Sequence, residues 1–162
     1  MAAETQLTQR LMSTFLVELE EHARAMERDL LSLERGDAEA GPIYVSLFRS
    51  AHSLKGAARV TGLPGIETAC HRIEEILQML KDGQLAADGS LFQLLLSAAD
   101  GLSATGRLLA EKSGSASEPL ARLLPKLAAV GQAPLQAAQV HAEPLRPASL
   151  PKPRVIYRVA AS

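Results

Sequence analysis

Tryptophan is absent from the 162 residues, and aromatic side chains of any kind make up 3%. An apolar set built from Leu and Ala, with so few aromatics, belongs to packed helices rather than sheets. A single cysteine excludes an internal disulfide and a thiolate metal cluster. Charge of one sign is also lacking. The net charge is −1, so no basic field points to nucleic acid or to an anionic membrane surface. No apolar run is long enough to cross a bilayer. The start, Met1-Ala2-Ala3-Glu4, has neither the basic head nor the apolar core of a secretory signal. A reducing, cytoplasmic setting is therefore expected, with neither nucleic acid nor membrane as partner. What the chain does have is 47% hydrophobic residues, enough for one domain with a true core plus tails.

The apolar residues fall in helical steps. Over residues 5–34, Leu7, Leu11, Phe15, Leu19, Met26, Leu30 and Leu33 recur every three or four positions, with His22 in the same stripe. Gly36 ends that pattern. A second helix is expected over 42–60, with Pro42 tolerated in its first turn. Its core stripe is Leu47, Ala51, Leu54 and Ala58. The adjoining stripe is Tyr44, Phe48, His52, Lys55 and Arg59, which puts His52 on the border between core and solvent. The breaker Thr61-Gly62-Leu63-Pro64-Gly65 turns the chain back into a third helix over 65–81. There Ile66, Cys70, Ile73, Leu77 and Leu80 face inward, beside a polar stripe of Glu67, His71, Glu74 and Gln78. A tight turn makes the two helices antiparallel neighbours, so the polar stripe can lie beside His52. Asp88 or Ser90 caps a fourth helix that ends near Lys112. A fifth pattern over 118–130 contains Pro125, so a kink or two short pieces are expected.

His52, Lys55 and Gly56 form a chemically suggestive set. A neutral imidazole is a good nucleophile near pH 7, because its unperturbed pKa is about 6.5. Phosphohistidine is reactive enough to pass its group onward. That chemistry needs one exposed ring nitrogen and an acceptor on the other, and Glu74 on the third helix is the candidate acceptor. Lys55 lies three residues on, on the same face, and can balance phosphoryl charge. Gly56, four residues on, leaves room for a partner surface, at a cost of up to about 1 kcal/mol of helix stability relative to Ala. Arg59 can pair with an acidic partner or with phosphoryl oxygens.

The run Ala51-His52-Ser53-Leu54-Lys55-Gly56-Ala57-Ala58 resembles the phosphoacceptor helix of histidine phosphotransfer (HPt) domains, most closely the N-terminal domain of CheA-type chemotaxis kinases. Gly62-Leu63, Ala69-Cys70-His71-Arg72-Ile73-Glu74 and Leu80-Lys81-Asp82-Gly83 fall where that subfamily has equivalent features. Pro64-Gly65 departs from the polar cap with which many relatives begin the third helix. The resemblance implies an all-α, antiparallel four-helix bundle, to which the 118–130 segment adds an accessory fifth helix. It implies that His52 accepts the phosphoryl group, that Glu74 orients the imidazole, and that Lys55 and His71 complete a supporting polar network. Phe48, Ser53, Gly56, Arg59 and Gln78 are the positions expected to meet partners. Those partners are the ATP-binding domain of a histidine kinase, in cis or in trans, and the receiver domain of a response regulator. No cofactor is expected on this domain: ATP sits on the kinase and Mg2+ on the receiver.

The expected domain plan is a bundle over 1–130, an Ala/Pro-rich flexible linker over 131–153, and a strand-like tail over 154–162 that reads as the start of a further domain. Three other readings stand beside this one. A zinc site would use His52, His71 and Glu74, but it lacks a fourth ligand and has Lys55 beside it. A free-standing relay protein and a helical docking module without phosphoryl chemistry are the others.

Overall fold

A computed structural model describes residues 2–36 and 38–132. The linker from 133 onward and the strand-like tail over 154–162 lie outside the described residues. The described chain is all helical: α1 Ala2–Arg35, α2 Ala40–Thr61, α3 Pro64–Lys81, α4 Gly89–Ala110, and the short α5 Glu118–Ala121 and α6 Leu124–Ala129. Helix α1 packs on α2 and α4, and α2 packs on α3. Helices α3 and α4 scarcely touch, and α5 and α6 occupy the gap between them. The expected four-helix bundle is present.

The stripes read from the sequence form its core. Leu47, Ala51, Leu54 and Ala58 of α2 are fully buried, and they meet Ile66, Cys70, Ile73 and Leu77 of α3. Small residues at 51 and 58 let the two helices approach closely across their shared face. The α2–α3 turn fixes their register. Gly62 takes the left-handed conformation (φ 71°), and Leu63 N–H donates to Ala58 O at 2.9 Å, which closes the end of α2. Pro64 then opens α3, where its missing N–H costs nothing because the first turn has no acceptor for it. This is how the chain manages without a polar cap at that point.

Two helices depart in detail from expectation. Helix α2 begins at Ala40, with Gly41 and Pro42 inside its first turn. Helix α1 has 34 residues and spans roughly 50 Å, so it outruns its neighbours. Its buried stripe starts only at Phe15, while Leu7 and Leu11 remain exposed. Between Leu19 and Met26 the buried position is Ala23, and His22 is half-buried beside it. The 118–130 segment follows expectation: it forms two short pieces, α5 and α6, with Pro125 in the first turn of the second. The end of α6 is held by Arg72 of α3, whose Nη2 donates to the carbonyls of Leu127 (3.1 Å), Ala128 (3.0 Å) and Val130 (3.3 Å). A guanidinium at a helix C-terminus satisfies carbonyls that have no partner within the helix.

Asp88 is the cap of α4: its Oδ1 accepts from Leu91 N–H at 2.8 Å and from the Ser90 hydroxyl at 2.7 Å. These bonds, the Ser90 hydroxyl foremost, hold its carboxyl below the usual range. Asp88→Ala is expected to lower stability by about 1 kcal/mol in neutral solution. Because the folded-state pKa is the lower one, this contribution is present above the ordinary carboxylate range and lost as pH falls through the folded value. Denaturation of both proteins at neutral pH and in acid checks this: the gap should narrow as the Asp88 carboxyl takes up its proton.

Candidate functional site

The α2–α3 pairing brings three of the named residues to one point. His52 Nδ1 lies 2.7 Å from Glu74 Oε1, and Lys55 Nζ donates to Glu74 Oε2. Exposure is graded across the set. The His52 side chain is 66% exposed, Lys55 29% and Glu74 6%. Glu74 therefore does not belong to a solvated polar stripe, as its position in the sequence suggests. It sits among Cys70, Ile73 and Leu77, on the buried side of α3. A carboxylate taken out of water needs partners, and each of its oxygens has one.

That pairing determines the chemistry of the ring. A carboxylate only accepts hydrogen bonds, so the proton between Glu74 and Nδ1 is carried by Nδ1. The neutral imidazole then keeps its lone pair on Nε2. The site presents an oriented, solvent-facing nitrogen nucleophile with a lysine one turn away. Phe48, one turn earlier on α2, stacks beside the imidazole with ring centroids 6.2 Å apart and planes 12° from parallel. Tyr44, Phe48, Leu77, Gln78 and Lys81 line a groove that runs up to His52 from that side.

The remaining expected positions divide. Ser53, Gly56 and Arg59 are exposed on α2. A Cβ at Gly56 would meet nothing within 4 Å, so the glycine leaves open space rather than relieving a clash. Gly56, Ala57 and Val60 edge a second groove whose far wall is Leu7, Leu11 and Phe15 of α1. Gln78 lies one turn beyond Glu74, and its amide donates to Asp82 at 2.9 Å. His71 is not brought to the pair. Its Nε2 lies 3.6 Å from Glu75 Oε1, one turn along its own helix and out in solvent. The zinc reading loses a ligand by the same fact. Among the described residues no group of three or more His, Cys, Asp or Glu is placed to hold a metal.

Sequence reasoning missed Glu75 and Arg72. The i, i+4 spacing of His71 and Glu75 is a usable signal for the first. The second rests on a contact across more than 50 positions, which no local pattern announces. Cys70 has no role at the site. Burial first, then the charge of Glu74, pushes its thiol up to about 12. Among the described residues no helix is long and apolar enough to cross a membrane.

Comparison with known proteins bears on what such a site does. A family model described as "Hpt domain" matches residues 10–105. The chain is similar to the chemotaxis protein CheA of Cereibacter sphaeroides, 34% identical over 107 residues, which cover 65% of this chain and 15% of that protein. It is 29% identical over 89 residues to CheA of Listeria monocytogenes, covering 55% of this chain and 14% of the relative. The chain thus spans about a seventh of the length of these relatives. Among solved structures it resembles the phosphorylated P1 domain of CheA3 in complex with CheY6 from R. sphaeroides. That match has a TM-score of 0.60 and 31% identity, and covers 74% of this chain and 96% of that one.

The tautomer is directly measurable without any partner. At a pH where His52 is neutral, ring 15N shifts should report a protonated Nδ1 and a bare Nε2. Glu74→Gln should move His52 toward the Nε2–H form that is usual in free histidine. An unchanged spectrum would mean that Glu74 does not hold the ring.

Proposed function

Because this chain belongs to the Hpt domain family, we propose that its described bundle is the phosphoacceptor domain of a chemotaxis-type signalling system, with His52 as the residue that carries the phosphoryl group. The observation that carries this reading is the buried Glu74 holding Nδ1 while Nε2 faces solvent. The phosphorylated state of the structurally similar P1 domain supports it.

In this reading the Nε2 lone pair attacks the γ-phosphorus of ATP held by a kinase domain, in cis or in trans. An N–P bond forms as the bond to the ADP oxygen breaks, and ADP leaves with that electron pair. Nδ1 keeps its proton and donates it in a hydrogen bond to the Glu74 carboxylate, which steadies the positive charge that develops on the ring. Lys55 stands between Glu74 and the phosphoryl oxygens as a mobile cation. An aspartate of a receiver domain, with Mg2+ bound on the receiver, then attacks phosphorus and returns the electron pair to Nε2. The domain contributes positioning and charge rather than a nucleotide site. The complex formed by the similar P1 domain with CheY6 supports a receiver as the second partner. The exposed positions around His52, namely Phe48, Ser53, Gly56, Arg59 and Gln78, form the face on which both partners work in turn. Use of ATP sets the domain in the cytoplasm.

Two variants test this. His52→Gln should fold normally, since the side chain is largely exposed, and should take no label from a cognate kinase domain and radioactive ATP. Label retained in the variant would assign the phosphate elsewhere. Gly56→Ala should keep or raise stability, by up to about 1 kcal/mol from helix propensity. It should nevertheless slow transfer to the receiver by narrowing the approach to the ring. Unchanged transfer would remove the clearance role.

A further inference from the structure

The hydrogen bond to Glu74 fixes where Nδ1 sits, but one contact at one edge of a ring does not fix the plane of the ring. The imidazole can still rock, and the Nε2 lone pair, which lies in that plane, rocks with it. A second restraint is present. Phe48 is a large apolar side chain left 39% exposed on α2, one helical turn before His52. Its ring lies 12° from parallel to the imidazole at a centroid distance of 6.2 Å. That is offset stacking within the range at which aromatic pairs attract. Phe48 also lines the groove formed with Tyr44 and Leu77.

We propose that Phe48 is a positioning residue for phosphoryl transfer, its ring setting the plane of the His52 imidazole so that the Nε2 lone pair keeps one direction through both half-reactions. The proposal rests on the reading of His52 as the phosphoacceptor. Glu74 fixes the edge of the ring and Phe48 fixes its face, and together they hold the nucleophile against a fixed helix. The stack also changes with the chemistry. Once Nε2 bonds phosphorus while Nδ1 keeps its proton, the ring is formally cationic. A cation beside an aromatic face is attracted to it. The phosphorylated ring is thus held at least as firmly as the free one, which is when the receiver must find phosphorus in line. This role differs from that of an apolar contact for a partner: docking needs bulk at position 48, whereas stacking needs a flat ring.

The test compares Phe48→Leu, which keeps apolar bulk, with Phe48→Tyr, which keeps the ring. Because the side chain is exposed, both should fold. In the free protein, 13C relaxation of the His52 ring should show a mobile imidazole in the leucine variant and an ordered one in the tyrosine variant. With a cognate kinase domain and receiver, Phe48→Leu should lower the saturating rate of both half-reactions about tenfold, with KM for each partner within about twofold of the parent. Phe48→Tyr should recover most of that rate. Unchanged ring order in Phe48→Leu would overturn the proposal. So would a rise in KM at an unchanged saturating rate, which is the signature of docking alone. If the parent protein takes no phosphate on His52, the phosphoacceptor reading fails and the positioning role fails with it. The relaxation data would then still say whether the stack orders the ring.

Discussion

A carboxylate buried between two helices is the constraint around which this domain is arranged. Glu74 is almost fully removed from solvent, and an ionised group in that position is tolerated only with its charge balanced and its oxygens bonded. Lys55 answers one oxygen and His52 the other. Both come from α2, one turn apart, so the site exists only while α2 and α3 hold their register. What would be a weakness in a purely structural core becomes an orienting device. The demand of the buried carboxylate for a donor dictates which nitrogen of His52 bears hydrogen, and so which nitrogen is free to react.

The rest of the bundle serves that register. The Gly62 turn and Pro64 set the phase between the end of α2 and the start of α3. The facing surfaces of Ala51, Leu54 and Ala58 against Cys70, Ile73 and Leu77 keep the helices from sliding. Arg72, on the outer side of α3, ties down the end of α6 and so fills the space that α3 and α4 leave between them. His52 itself is kept out of this packing. Exposure on one side, restraint by Glu74 and Phe48 on the other, and open space at Gly56 are three conditions that a single position on α2 meets together.

Much of this was legible from periodicity. The α2 core stripe and its neighbour are a direct consequence of 3.6 residues per turn, and His52 on the border between them follows from counting. The place of Glu74 beside His52 followed from a short turn between two helices. Its burial did not, because a carboxylate inside an apolar stripe looks like a polar edge until the partners that neutralise it are known. His71 turns elsewhere: three residues before Glu74 it lies on the same side of α3, but its ring sits beside Glu75, one turn along its own helix, a nearer carboxylate that spacing alone does not rank against Glu74. The overhang of α1 was hidden for another reason: an amphipathic pattern states which face is apolar, not where the neighbouring helices end, so Leu7 and Leu11 read as core. Arg72 depended on a contact with α6 that no spacing within α3 encodes.

Which atom of the domain carries phosphorus depends directly on the bond between Glu74 and Nδ1. If Glu74 holds Nδ1, the phosphoryl group can form a bond only with Nε2. The direct measurement is 31P and 15N NMR of the 15N-labelled domain after phosphorylation by a cognate kinase domain with ATP. A phosphorus–nitrogen coupling to Nε2 of His52, with Nδ1 still protonated, is the result this arrangement predicts. Phosphorus on Nδ1, on the neighbouring Ser53 hydroxyl or on another histidine would contradict it.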